Sequence, residues 1–176
     1  MATTQWSLDP THSELQFKVK HLMITTVTGS FNSLTASLTS DADDFENAKV
    51  TFEAELNSID TGNTDRDNHL KSADFFDAEQ FPKMTFTSSS FEKDGSDYVL
   101  KGDLTVKGVT KPIKLNVEFG GIATDPWGNT KAGFTINGKI NRTDFGLTWN
   151  AALETGGVMV SEDVRILGEL QFVKQA

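Results

Sequence analysis

The chain has no cysteine, which rules out disulfide staples, a thiolate nucleophile and cysteine-ligated metal. It also lacks any apolar run near the roughly eighteen residues that a membrane-spanning helix needs. Bases are scarce: 16 Lys and Arg face 25 Asp and Glu, a net charge of −9. That balance argues against nucleic acid, whose binding rests on neutralising phosphates, and against a polybasic anchor at a membrane surface. The opening residues, MATTQWSLDPTHSE, contain no basic segment followed by an apolar core, so no secretory signal is read. A cytoplasmic protein is the expectation, with the periplasm as the alternative for a trimmed chain.

Catalytic and cofactor motifs are missing too. There is no G-x-S-x-G elbow, no H-E-x-x-H and no G-x-G-x-x-G. GFTINGKI at 133–140 superficially matches a phosphate loop, but Ile140 stands where Ser or Thr is needed and the segment reads as a strand. No metal and no cofactor other than a bound ligand is therefore expected.

What is present is alternation. At 176 residues the chain is expected to form one domain, residues 1–176, with a core rich in unsubstituted rings: 13 Phe against one Tyr and three Trp. Leu15, Phe17, Val19 and His21 share one face of the first segment, with Gln16, Lys18 and Lys20 on the other. Val27, Gly29 and Phe31 follow. The phase then slips at Asn32–Ser33 to Leu34, Ala36 and Leu38, which predicts a bulge or bend. Val50, Phe52, Ala54 and Leu56 face inward next, then Met84 and Phe86, then Tyr98, Leu100, Gly102, Leu104 and Val106. After a turn placed at Gly108–Pro112 come Ile113, Leu115, Val117 and Phe119. Ala132, Phe134, Ile136, Gly138 and Ile140 form the seventh set, and Val164, Ile166, Gly168, Leu170 and Phe172 the eighth.

Eight segments with one apolar face each predict an all-β fold, an eight-stranded antiparallel barrel that leaves no exposed edge. A barrel of this size is either just filled by side chains or holds one small ligand. A two-sheet sandwich would show the same alternation and stays open. The inward glycines Gly29, Gly102, Gly138 and Gly168 fit either bends in the wall or room for a guest.

One stretch does not alternate: SIDTGNTDRDNHLKSADFFDAEQFP, residues 58–82. Thr64 with Asp67 three residues later predicts a capping box, and Asp65 and Asp67 suit a helix N-terminus. Asp74 and Asp77 repeat the spacing, so two short helices are expected between the third and fourth strands, anchored in one barrel mouth by Phe75, Phe76 and Phe81. Acids at a helix start are ordinarily caps; Asp60, Asp65, Asp67 and His69 as a metal site is the alternative. His21 on an apolar face is either a satisfied core histidine or a ligand contact. Lys101, Lys107, Lys111 and Lys114 form a basic strip on one hairpin, either solvated or a partner surface. The long connection from Asn141 to Asp163 is the other break; it carries Phe145, Leu147 and Trp149, apolar groups that need cover.

Several blocks together, WSLDPTHSELQFKVKHL, GSF, the whole of 58–86, GDLTVKGVTKPIKL and NRTDFGL, resemble the YceI-like family from about Trp6 to Val173. The resemblance implies a lipocalin-like barrel, an internal channel for a polyisoprenoid or related long-chain amphiphile, and a homodimer. It implies a binding protein and no enzyme, with a hydrophobic small molecule as partner and no stable membrane insertion. The lining it implies is Phe17, Val19, His21 and Phe31 from the first two strands, and Leu70, Phe75, Phe76 and Phe81 from the insert. Phe86, Leu104, Phe134 and Ile136 come from later strands, and Phe145 and Trp149 from the long connection. His21 and Arg142 are the expected contacts for a polar headgroup. Two other classes stay open: an enzyme using His69 with Asp67 or Asp65 on a lipid-like substrate, and a filled barrel serving as an interaction module.

Overall fold

Inward-facing apolar residues at every second position can be hidden without leaving a ladder edge unpaired only if the sheet closes on itself. The computed structural model, which describes residues 3–22, 24–41, 44–148 and 160–175, shows that closure. Its strands are β1 (Thr3–Leu8), β2 (Glu14–His21), β3 (Thr25–Phe31), β4 (Leu34–Asp41), β5 (Asp44–Glu55), β6 (Ile59–Asp60), β7 (Lys83–Asp94), β8 (Asp97–Val106), β9 (Val109–Thr124), β10 (Thr130–Asn141) and β11 (Asp163–Lys174). The pairing runs β1–β4–β5–β7–β8–β9–β10–β11 and returns to β1. Eight antiparallel strands thus form a ring, and the sandwich alternative is set aside.

The hairpin β2–β3 extends the ring. The C-terminal part of β11 pairs with β1 (Leu8↔Phe172), and its N-terminal part pairs with β2 (Ile166↔Phe17). So β1 and β2 are bent halves of one stave, as β3 and β4 are of the next. The bend at Asn32–Ser33 lets both Phe31 and Leu34 turn inward although they are three residues apart. The β8–β9 hairpin turns on two residues, Lys107 and Gly108, with φ of 53° and 75°. Two positive φ values are the geometry that suits the twist of a hairpin. The turn is therefore tighter than the expected Gly108–Pro112, and Pro112 lies within β9 opposite Asp103, ahead of Asn116 where pairing with β10 begins.

The non-alternating stretch yields the stub β6 and one helix, α1 (Thr64–Lys71). Its cap is Asn63, whose Oδ1 accepts from Arg66 N at 3.0 Å, so the helix starts one residue before the expected Thr64 cap. Asp67 instead reaches back, accepting from the Thr61 amide at 2.9 Å and from its hydroxyl. The expected second helix is replaced by turns. Asp77 takes a positive φ of 49°, which breaks helical propagation just as it starts. No helix among the described residues is long and apolar enough to cross a membrane.

The joint between β1 and β2 is a 3-10 turn, Pro10–His12, governed by Asp9. Asp9 Oδ1 accepts from Thr11 N at 3.0 Å and Thr11 Oγ1 at 2.6 Å, while Oδ2 meets His12 Nδ1 at 2.8 Å and Lys131 Nζ at 3.0 Å. Those bonds, the Thr11 hydroxyl foremost and then His12, outweigh desolvation and hold the Asp9 carboxyl well below the usual carboxylate range. Because the folded pKa lies below the unfolded one, the stability Asp9 contributes is complete above about pH 5 and drains away as pH falls below about 4. Asp9→Asn is expected to cost about 1–2 kcal/mol at pH 7. Urea unfolding at a series of pH values should show that deficit flat from pH 5 to 8 and narrowing below pH 4.

Candidate functional site

The two ends of the tube are built differently. At the end holding the N-termini of β5, β8 and β10, seven rings interlock: Trp6, Phe45, Phe91, Tyr98, Phe119, Phe134 and Phe172. Phe45 is fully buried, with ring centroids 5.1 Å from Phe134 and 5.3 Å from Phe119. Trp6 gives its Nε1 hydrogen to Ser40 Oγ at 3.1 Å, inside the wall. This end is solid.

The other end is hollow. A cavity of about 290 Å³ lies beneath α1, and its wall is almost wholly carbon. Phe17 and Val19 of β2, Phe31 of β3, Phe86 of β7, Leu104 of β8 and Ile136 of β10 all line it. From the insert come Leu70, Phe75 and Phe76, with the Phe76 ring 6.2 Å from Phe31 in an edge contact. Phe145 and Leu147 reach it from the connection after β10, and Val160 from that connection's far side, which pairs with His21 as an isolated bridge. The two breaks in alternation therefore share one mouth. Trp149 lies outside the described residues.

Two expected lining residues stand elsewhere. Phe134 points inward but lies near the start of β10, within the solid end, packed between Phe45, Phe119 and Phe172. Phe81 follows the reversal at Asp77 and lies across the β8–β9 turn. Its ring is 3.0 Å from where a Cβ on Gly108 would sit, a place open only because Gly108 has none. The inward glycines likewise serve their neighbours before any guest. A Cβ on Gly29 would stand 2.3 Å from the Phe17 ring, and one on Gly102 2.6 Å from Phe86 and 2.4 Å from the Thr87 carbonyl oxygen. Gly138 and Gly168 receive Leu115 and Ile136 in the same way. Neighbouring side chains occupy the space that each Cβ would take, so the glycines widen the lumen only indirectly.

The polar groups gather at the mouth. His21 lines the cavity, partly buried. Arg142 lines it too, but at 4% exposure it is committed elsewhere. Its Nη1 donates to the Leu147 carbonyl at 2.6 Å, Nε to that of Ser161 at 2.8 Å and Nη2 to that of Val160 at 3.2 Å. Burial pulls the guanidinium pKa down, and Glu162 opposes the shift. Arg142 thus ties together the two ends of the long connection, a burial that several hydrogen bonds to backbone make tolerable. Those three bonds hold the frame of the mouth.

Arg66, His69, Lys20 and Gln16 also line the cavity, though none belongs to the expected lining; the sequence singles out His69 only for a metal site or an enzyme. Arg66 donates from Nε and Nη2 to the hydroxyl and carbonyl of Thr61, both at 2.7 Å. His69 Nε2 meets Asp74 Oδ2 at 3.0 Å and its ring stands edge-on to Phe75. His69 pairs with Asp74, while Asp67 is spent on Thr61. Of the basic strip, Lys101 and Lys114 sit directly opposite each other on the outer wall, while Lys107 donates to the Ala73 carbonyl at 3.0 Å and helps fasten the insert.

This architecture matches one family along nearly its whole length: the model of the YceI-like domain aligns with residues 6–172. The chain belongs to the YceI-like family. A UPF0312 protein of Staphylococcus aureus (strain MSSA476) is 41% identical over 170 residues, covering 96% of this chain and 97% of that one. Among solved structures, the YceI protein of Campylobacter jejuni shares 37% identity with a TM-score of 0.73, covering 90% and 91% of the two chains. BcnA of Burkholderia cenocepacia superposes with a TM-score of 0.78 at 23% identity, over 93% of this chain and 98% of that one. A polyisoprenoid-binding domain of Saccharophagus degradans gives 0.68 at 20% identity, over 97% and 98%. The last two likenesses concern the fold. Within the YceI-like family, then, this member has a barrel hollow at its α1 end and plugged at the other.

Proposed function

We propose that this protein binds one long-chain amphiphile, an isoprenoid-type or other lipid, in the cavity, and sequesters or carries it without transforming it. The observation that carries this is the carbon-walled space of about 290 Å³ above the seven-ring plug. A dry cavity of about 150 Å³ is large enough to take benzene, so this one accepts roughly a dozen carbons. At about 0.8 kcal/mol per methylene, a dozen contribute on the order of 10 kcal/mol gross. Lost freedom of ligand and loops offsets part of that. Micromolar or tighter binding remains attainable with no obligatory polar contact, which accords with the absence of a catalytic motif. Membership of the YceI-like family supports a binding protein, and the likeness in fold to a polyisoprenoid-binding domain of Saccharophagus degradans supports a hydrophobic ligand. An isoprenoid longer than a dozen carbons leaves its remainder at the mouth.

Organic extraction of the purified protein followed by mass spectrometry is expected to recover close to one lipid per chain. A clean extract, together with no rise in melting temperature across a panel of ten- to twenty-carbon amphiphiles, would reject the proposal, because a ligand that binds only the native state must stabilise it. One observation favours a second reading: the imidazole–carboxylate pair of His69 and Asp74 at the cavity rim is suited to general acid–base work. Consumption of a hydrophobic substrate, lost in His69→Ala with the fold intact, would establish it.

A further inference from the structure

The chain is acidic, with 25 Asp and Glu against 16 Lys and Arg, yet among the described residues no acid lines the cavity. Its described ionisable lining residues are Lys20, His21, Arg66, His69 and Arg142, every one a base, and Gln16 is the other polar one among them. Nearby acids are turned to other partners: Asp67 binds Thr61, and Asp74 caps the outer edge of His69. Arg142 donates to three carbonyls. Lys20 and Arg66 remain exposed at the rim, and neither forms an ion pair among the described residues. Arg66 is aimed by its two bonds to Thr61, whose amide and hydroxyl are in turn fixed by Asp67, so the guanidinium is held over the opening before anything binds. A planar guanidinium held in place is suited to carboxylate or phosphate oxygens.

The competing account is that long basic side chains drape their methylene stems over apolar surface and keep their charges in water. That account explains a single lysine at a rim. It does not explain why the described lining residues of β2 and α1, together with Arg142, all carry one sign in a chain where acids predominate.

Resting on the reading that the cavity holds an amphiphile, we propose that its occupant is anionic. A single apolar chain ending in a carboxylate or phosphate lies with its tail toward Phe172 and the ring plug and its head between Arg66, Lys20 and the two histidines. The orientation follows from the wall: the plugged end offers only carbon, so a charge placed there would be desolvated without a partner. At the rim the same charge keeps water on one side and gains cations on the other.

The test is isothermal titration, below micelle-forming concentrations, with probes that share a fourteen-carbon tail: tetradecanoate, tetradecyl phosphate, tetradecanol and tetradecyltrimethylammonium. Inorganic phosphate and acetate serve as tail-less controls. Either anionic amphiphile is expected to bind at least tenfold more tightly than the alcohol, the cation more weakly than the alcohol, and the tail-less anions not at all. Raised salt should shrink the gap. In Arg66→Gln, and separately in Lys20→Gln, the ratio of anion to alcohol affinity should fall several-fold toward one. Equal affinities for tetradecanoate, phosphate ester and alcohol would overturn the anionic head while leaving lipid binding in place. Failure of all four tailed probes would remove the lipid reading and this inference with it. Tight binding of inorganic phosphate alone would also overturn it, showing an anion site that owes nothing to a tail. So would an unchanged ratio in both variants.

Discussion

Ala36→Phe is expected to cut lipid retention at least tenfold while leaving the lipid-free barrel as stable as before. Ala36 sits on β4, inward, opposite Phe52 on β5, and its methyl is part of the cavity wall. A benzyl group placed there fills a space of the size that benzene needs, about half of the 290 Å³ available. The tail that remains admissible is then shorter by roughly six carbons, a loss on the order of 5 kcal/mol of gross transfer free energy at about 0.8 kcal/mol per methylene. Filling an empty apolar cavity costs the fold little and commonly adds up to about 1 kcal/mol of stability. The variant should therefore yield an extract poor in lipid, and once both proteins are stripped of lipid it should melt at the same temperature as wild type or slightly higher. A full lipid load would place the guest outside the cavity. Gly102→Phe, which the inward phase alone would nominate for the same purpose, is a poor probe. Its Cβ would stand 2.4 Å from the Thr87 carbonyl oxygen and break the β7–β8 ladder instead of narrowing the lumen.

That contrast shows where legibility in the sequence stops. Alternation at period two made the staves, their inward faces and the closed barrel readable, since each depends on neighbours along one strand. The bend at Asn32–Ser33 was readable for the same reason. The short β1 was not: Thr-Thr-Gln-Trp-Ser-Leu offers only Trp6 and Leu8 to a pattern search, and its place is set by β4 and β11. Asn63 and Thr64 are both good caps, and only the reach of the Asn63 side-chain oxygen Oδ1 to Arg66 N decides between them. Whether the lumen is solid or hollow at a given height was unreadable in principle. It depends on which rings from distant strands meet, as Phe45 of β5 meets Phe134 of β10. Lys20 and Arg66 were hidden for a related reason: a residue near the end of a strand or on a covering helix can reach the mouth whatever its phase.

Phe134→Ala carries the largest expected penalty and tests the plug directly. The Phe134 ring lies 5.1 Å from Phe45, 5.4 Å from Phe119 and 5.9 Å from Phe172, and is 5% exposed. Removing it deletes a core ring and leaves a void among rigid neighbours that cannot collapse onto it, a change that costs about 3–5 kcal/mol. For a chain of this size that lowers the melting temperature by about 10 °C. The void would open beside Phe172, whose other side already faces the cavity, so it would extend the lumen toward the plugged end. The chain-length profile should shift with it. Wild type is expected to gain affinity steeply up to roughly a dozen carbons and level off. The variant should go on gaining for several carbons more, because the tail now enters space that the ring occupied. Part of the lost stability should return when a sixteen-carbon amphiphile is added, as a guest that fills the void restores contacts the deletion removed. If Phe134→Ala is destabilised yet keeps the wild-type chain-length limit, the plug is not what terminates the tail, and the tail's end must be sought nearer the mouth.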